Sequence, residues 1–431
     1  MDYYGIEYLR RKLERKRTRV RVRYNYYEMK DRAGHPSAVM PPWLRGLYTA
    51  CVGWCAKSVD ALSDRLVFEG FDNDYMNAGR IFDENNPDIM FDSLIRESMI
   101  AGCSFVQIAH GEGGENIPRL SVLTADRATG IIDEFTGLLK EGYAVLDVDD
   151  NGEPVLEAWF TPEFTEYYQK DAEPYRENNP ARWPLLVPVS FRPDAKRPFG
   201  HSRITRAGMY YQDLAKSTLE RAEVSAEFYS FPQKYVTGTD PEMDALDTWR
   251  ATISTMLRFD KDESGDKPTL GQFQQQSMSP YTEQLRTAAA MFAGDSGLTL
   301  DDLGFVTDNP SSAEAIKAAH ENLRVTARKA QRTYGSAFGN IAVISASVRD
   351  GRAYERTLIP DMRPLWLPVF EPDAAMLSTV GDGAIKINQA VPGYFTKESL
   401  QTLTGIEPAE IEEPETAIEI QAETETGAGS E

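Results

Sequence analysis

Asp147-Val148-Asp149-Asp150-Asn151-Gly152 offers side-chain oxygens at its first, third and fifth positions and glycine at its sixth, as the first half of a calcium loop does. The match then fails, because the twelfth position is Ala158 and Glu157 comes one residue early. Residues 143–148 and 155–160 alternate like strands around an Asn-Gly turn, so the spacing predicts a β-hairpin. Gly111-Glu112-Gly113-Gly114 has the composition of a phosphate cradle but lies between strand-like runs at 105–109 and 120–124, not ahead of a helix, and reads as a hairpin loop. Cys51 and Cys55 stand four apart, which predicts neighbours in a helical core; zinc would want two further ligands nearby. With Cys103 they make an odd count without framework spacing, as in a reduced, intracellular protein. Only four His occur, at 35, 110, 201 and 320, and neither a Walker lysine motif nor a nucleophile elbow is present. No metal and no cofactor is expected. Paired acids remain possible among 67 Asp and Glu, but no spacing orders them.

The elements that carry these residues are mostly helices. The 431 residues allow roughly three domains. No apolar run approaches the roughly 20 residues of a membrane span, and the start, Met1-Asp2, predicts a soluble chain without a signal peptide. The net charge of −21 is uneven: residues 1–32 hold eleven Lys and Arg against five Asp and Glu, whereas residues 407–431 hold nine Glu and no cation. The basic start is either a nucleic-acid arm or, given the stripe Tyr3, Tyr4, Ile6, Leu9 and Leu13, a solvated helix against an acidic neighbouring subunit. The tail has the composition of a disordered, self-repelling segment.

Helices are predicted over 43–66 and 88–101, with a strand over 66–71 between them. A proline-rich connector at 184–198 leads into a helix to 229 with Ile204, Tyr211, Thr218, Ala222, Ala226 and Tyr229 on one side. A strand over 231–238 follows, then a short helix capped by Asp240 and opened by Pro241, with Met243, Leu246, Trp249, Ile253 and Met256 inward. An exposed loop at 260–268, a helix over 280–293 and an acidic loop at 294–309 come next. Ser311 and Glu314 form a capping box behind Pro310, opening a long helix over 311–338. Its apolar rows are Ile316, Leu323, Ala330 and Ala327, Tyr334, Ile341, while Lys317, Arg324, Arg328, Lys329 and Arg332 make it cationic and wet on the other side. Two such faces suit assembly better than catalysis.

Phe199-Gly200-x-Ser202-Arg203-Ile204, Phe231-Pro232-Gln233-x-Tyr235-Val236-x-Gly238, Gly271-Gln272-Phe273, Gln284-Leu285-Arg286, Gly297-Leu298, Leu303-Gly304 and Asn309-Pro310-Ser311-Ser312-Ala313-Glu314-Ala315-Ile316 occur in that order. Over residues 199–340 their order and spacing resemble the portal proteins of tailed bacteriophages, in the branch common to phages and prophages of Gram-positive bacteria. Upstream the resemblance is fainter, with Arg65-Leu66-x-Phe68-x-Gly70-Phe71 its best match.

The resemblance implies an α+β fold with a mixed α/β wing, a helical stem, a small α/β clip and a short helical crown. By position the wing takes residues 1–200, the stem helices 201–230 and 279–294, the clip 231–278 and the tunnel loop 295–310. A long wing helix and return strand take 311–371, a reduced crown 372–406 and the acidic tail 407–431. The resemblance further implies a homo-oligomeric ring, typically of about twelve subunits, at one capsid vertex of the virion, assembled in the host cytoplasm. DNA is packaged and ejected through such a ring. The implied partners are a terminase packaging motor, a head-completion adaptor, scaffold, major capsid protein, and double-stranded DNA passing non-specifically; no membrane is implied. Asp295, Asp301, Asp302 and Asp308 would line the tunnel, where acidic walls keep DNA sliding because they make no phosphate contacts. Asp260, Lys261, Asp262 and Glu263 would dock partners at the clip. The rival readings are a smaller head or tail adaptor ring and an acid/base hydrolase.

Overall fold

The computed structural model describes residues 3–31, 49–111, 116–230, 234–237, 269–272, 277–305, 318–370 and 374–404. Residues 1–366 form one compact unit and 367–431 a second. In the first, helices α1 (Ile6–Tyr27) and α2 (Trp54–Ser63) precede strand β1 (Phe68–Asp72), then α3 (Ala78–Asp83) and α4 (Pro87–Ala101). Next come β2 (Cys103–Ala109) and β3 (Arg119–Thr124), and an antiparallel meander of β4 (Ala128–Ile132), β5 (Leu139–Val148), β6 (Pro154–Phe160), β7 (Phe164–Gln169) and β8 (Tyr175–Asn178). Strand β9 (Leu186–Ser190) returns beside β2, so a three-stranded antiparallel sheet runs β3-β2-β9. Pro188 sits within β9, in what the sequence reads as a connector; the strand is at the sheet edge, where a missing N–H is tolerated.

The calcium-like stretch is the β5–β6 hairpin: Asp149 Oδ1 accepts from the Asn151 and Glu153 amides at 3.0 and 2.9 Å, so that carboxylate oxygen closes the turn. The β2–β3 pair is likewise antiparallel, and the tip of its loop, 112–115, lies outside the described residues. Cys55 is buried in α2 but Cys51 is exposed and precedes the helix, so the two are not core neighbours; the predicted helix over 43–66 is, as far as described, limited to α2.

In the basic start, Leu9 and Leu13 are buried against Tyr143 and Val145 of β5, so this part of the apolar stripe of α1 packs on its own chain, while Arg11, Arg15, Arg19 and Arg21 stay exposed. Arg10 grips Glu157 through Nε (3.2 Å) and Nη2 (2.5 Å), and Lys12 Nζ donates to Gly130 O at 2.6 Å. Burial, reinforced by Lys16 nearby, pulls Lys12 down to about 8.

Helix α5 (Arg206–Ser230), strands β10 (Lys234–Thr237) and β11 (Thr269–Gln272), and α6 (Ser279–Ser296) follow. The helices pair antiparallel: Thr205 and Gly208 at the start of α5 meet Asp295 and Phe292 at the end of α6, while Ser225 Oγ meets Tyr281 Oη at 2.8 Å. Strands β10 and β11, themselves antiparallel, belong to the insert between the two helices. Of the predicted row Ile204 and Thr218 are buried, Tyr211 and Ala222 half-buried and Ala226 exposed; Gly208, Gln212, Ala215 and Lys216 are buried as well, so the inward face is wider than that row.

Helix α7 (Glu321–Asp350) buries Leu323, Ala327, Ala330, Tyr334 and Ile341 as predicted, and exposes Arg328, Lys329 and Arg332. It runs to Asp350 rather than ending near Phe338, and stops at Gly351, φ +63. Gly335 and Gly339 are close-approach positions on this helix: a Cβ would stand 2.7 Å from Pro364 and 2.9 Å from Ile359. They let β12 (Arg363–Trp366) lie against α7 and pair with β1. Phe68 thereby joins Phe91, Phe338 and Trp366 at centroid distances of 4.7, 4.9 and 5.3 Å. The second unit contains α8 (Ala374–Ala390) and α9 (Lys397–Thr404), and Asn388 closes the turn between them by accepting from Phe395 N (2.8 Å) and donating to Phe395 O (3.2 Å).

Candidate functional site

The motif Phe199-Gly200-x-Ser202-Arg203-Ile204 builds a joint at the base of the α5/α6 pair. Gly200 turns with φ +80 while Gly102, φ +103, ends α4; they pack so closely that a Cβ on Gly200 would lie 2.2 Å from Phe191 O and 2.6 Å from Gly102 O. Phe191 N donates to Gly102 O (2.9 Å), His201 N to Phe191 O (2.8 Å), and Arg203 N to Met99 O (2.8 Å). Ser202 Oγ donates to Ile100 O at 2.6 Å. The entry to α5 is thus stitched to the end of α4 and the end of β9.

Arg203, nearly buried, crosses the joint. Its Nε donates to Ser58 O in α2 and its Nη2 to Ser296 O at the end of α6, 2.9 Å away. Burial lowers it to about 10, followed by the like charge of Arg192. A cation on the last carbonyls of α6 also complements that helix dipole. Thr205 caps α5 by accepting from Gly208 N (2.8 Å) and donates its hydroxyl to Asp295.

A second set of buried polar groups ties α5 to α1 and α2. Lys216 Nζ meets Asp31 Oδ2 at 2.5 Å, with side chains 2% and 3% exposed. Tyr26 Oη donates to Asp213 Oδ2 at 2.8 Å, and Gln212 Oε1 accepts from Cys55 N at 2.8 Å. Burial raises Tyr26 and Cys55. Sequence reasoning missed this set: Gln212 and Lys216 sit beside the apolar row with no local signal, and their partners lie more than 150 residues away.

The predicted acidic loop is only partly a loop. Asp295 lies in the last turn of α6, which continues to Ser296, and is held by Thr205. Asp302, inside the 3-10 turn Asp301–Leu303, accepts from Thr299 N and Thr299 Oγ1, both at 2.9 Å, while its own N–H donates to Thr299 Oγ1 at 3.2 Å, and its carboxylate stands 3.9 Å from His320 Nδ1. Asp301 is exposed. Asp308, the capping box Ser311 and Glu314, the inward residues of the short helix after Pro241, and Asp260, Lys261, Asp262 and Glu263 lie outside the described residues. Among the described residues no group of three His, Cys, Asp or Glu could hold a metal ion, and no helix is long and apolar enough to cross a membrane.

The described elements thus form a helical pair with an inserted two-stranded sheet between its helices, rooted in a mixed α/β body and followed by a long helix. Among curated proteins the chain is similar to the portal protein of Mycobacterium phage L5, 24% identical over 410 residues covering 90% of this chain and 82% of that one. It is similar also to the portal protein of Mycobacterium phage D29, 24% identical over 415 residues covering 91% and 84%. A comparison with protein-family models finds no match. Among solved structures it resembles a chain in the neck of the empty gene transfer agent particle computed with C6 symmetry, at 15% identity, 88% and 97% coverage and TM-score 0.49. For a chain in the neck of the native particle computed with C12 symmetry the values are 14%, 90%, 100% and 0.46. The similarity to these two portal proteins extends over nine-tenths of this chain.

Proposed function

We propose that the chain is a portal subunit, forming a closed ring at one capsid vertex through which DNA is packaged and ejected. The similarity to two portal proteins across 90% of the chain carries this reading, because it runs through the α/β body as well as the central motifs. In this reading the α5/α6 pair is the stem, the insert between its helices is the clip, the tunnel loop follows the end of α6 at Ser296, α7 is the wing helix and α8 with α9 a reduced crown. The stem is braced by Arg203, Lys216 and Gly200, which suits an element that bears load while DNA moves past. The clip receives the terminase motor and the head-completion adaptor; scaffold and major capsid protein meet the outer surface. The ring assembles in the host cytoplasm, works in the virion without catalysing a reaction, and passes DNA non-specifically because acidic side chains such as Asp301 offer phosphates nothing to bind. Electron microscopy of the purified chain is the test: rings with a central hole support the reading, and a solid or open assembly under all conditions overturns it.

A further inference from the structure

Helix α1 turns two stripes in opposite directions. Leu9, Leu13 and Val20 are buried, whereas Tyr8, Arg11, Arg15, Arg19 and Val22 recur at steps of three or four residues on the outer side and are exposed. Tyr4, 65% exposed, leans on Tyr8 with ring centroids 4.9 Å apart. From Arg11 to Arg19 the row runs about 12 Å at the helical rise. Among the described residues no ion pair holds Arg11, Arg15 or Arg19. A surface of the opposite sign lies on the same unit, where residues 60–92 hold nine Asp and Glu against two Arg. Asp88, Ile89 and Asp92 are exposed along the first turns of α4, and Asp64, also exposed, closes α2. Burial raises the Asp92 carboxyl; Arg96 draws it back, and the like charges of Asp88 and Asp64 push it up again. Among the described residues no ion pair holds Asp64, Asp88 or Asp92 either. Within one chain the two surfaces do not neutralise each other. Where α1 meets α2 and α4, Tyr27 Oη donates to Asp60 Oδ1 at 2.8 Å and Tyr24 Oη to Glu97 Oε2 at 2.5 Å, so hydroxyls and not guanidinium groups take those acids.

We propose that the outer stripe of α1 on one copy of the chain seats against the surface of Asp64, Asp88, Ile89 and Asp92 on the next copy. Each surface alone gathers like charges around exposed apolar side chains; joined, guanidinium groups meet carboxylates while Tyr4, Tyr8 and Ile89 leave water. The two surfaces differ, so the contact is heterologous and passes from copy to copy. It names an interface for the proposed ring and rests on that reading. Duplex DNA fits the stripe less well, because a body of charge −21 repels it at long range. The test compares the full-length chain with Arg15→Glu/Arg19→Glu and Asp64→Lys/Asp92→Lys by sedimentation at about 0.15 M salt. All four positions are exposed, and a cation at the end of α2 suits that helix dipole. Circular dichroism checks that each variant is folded. Either double variant is expected to raise the concentration needed for assembly about tenfold, and the variant carrying both reversals to return it to within about threefold of wild type. A chain that was merely destabilised would not be repaired by the second reversal. Folded double variants that assemble like wild type, or a fourfold variant no better than the doubles, would overturn the contact and leave the ring reading standing. Open assemblies that show the repair would support the contact and overturn the ring; monomer at every concentration would overturn both. Binding of a short DNA duplex that Arg15→Glu/Arg19→Glu abolishes, with assembly untouched by either reversal, would make phosphate the ligand of the stripe and also overturn the proposal.

Discussion

At Gly200 a single methyl group would collide with two carbonyls and force a left-handed backbone on a residue that resists it. Gly200→Ala is expected to cost on the order of 2–4 kcal/mol, read as a lower melting temperature. Lys12 makes a pH-dependent contribution. Its folded pKa of about 8 lies below the ordinary 10.5, so between those values the unfolded chain binds a proton the folded chain lacks, and stability rises with pH across that window. The Lys12→Met variant removes the dependence, so its advantage over wild type near pH 7 should shrink by on the order of 1 kcal/mol by pH 10.5, after discounting for partial exposure; parallel melting curves with pH would contradict this. The glycine and arginine of the motif at 199–204 were legible in the sequence, but their reasons were not, because Gly102, Ser58 and Ser296 are brought to them only by the fold.

Among the elements, long periodic helices were legible and their ends less so. Helix α7 passes Gly335 and Gly339 because those glycines serve a close approach of Pro364 and Ile359, which local sequence cannot distinguish from a stop. The inward face of α5 extends past the predicted row for a similar reason: Lys216 is buried by its bond to Asp31, and a lysine in a helix otherwise reads as solvent-facing. The joint predicts that Arg203→Lys costs about 2–3 kcal/mol, since an ammonium cannot fork between Ser58 O and Ser296 O. Thermal unfolding equal to wild type would mean the fork carries no load. Asp301→Lys tests the loop: it should retain duplex DNA at about 50 mM salt and release it by about 200 mM, where wild type retains little at either. Asp302 must be left intact, because its carboxylate holds Thr299 N and Oγ1, and replacing it would mix folding with charge. Equal retention by Asp301→Lys and wild type would place the loop away from DNA.

Each unit carries exposed apolar side chains among its described residues. Phe135 is 98% exposed on a turn pinned by Asp133 and Arg356, and Tyr210 and Met291 on the helical pair are more than half exposed. In the second unit Ile385, Val391 and Tyr394 are likewise exposed. A ring of identical subunits closes through heterologous contacts, each copy meeting the next through a different surface. Native mass spectrometry of the full chain, alone and with scaffold, decides whether that ring closes. The account predicts one dominant species at a fixed integer multiple of 48.3 kDa, independent of concentration once formed. Only monomer and dimer at every concentration, or an open ladder of sizes, would contradict it.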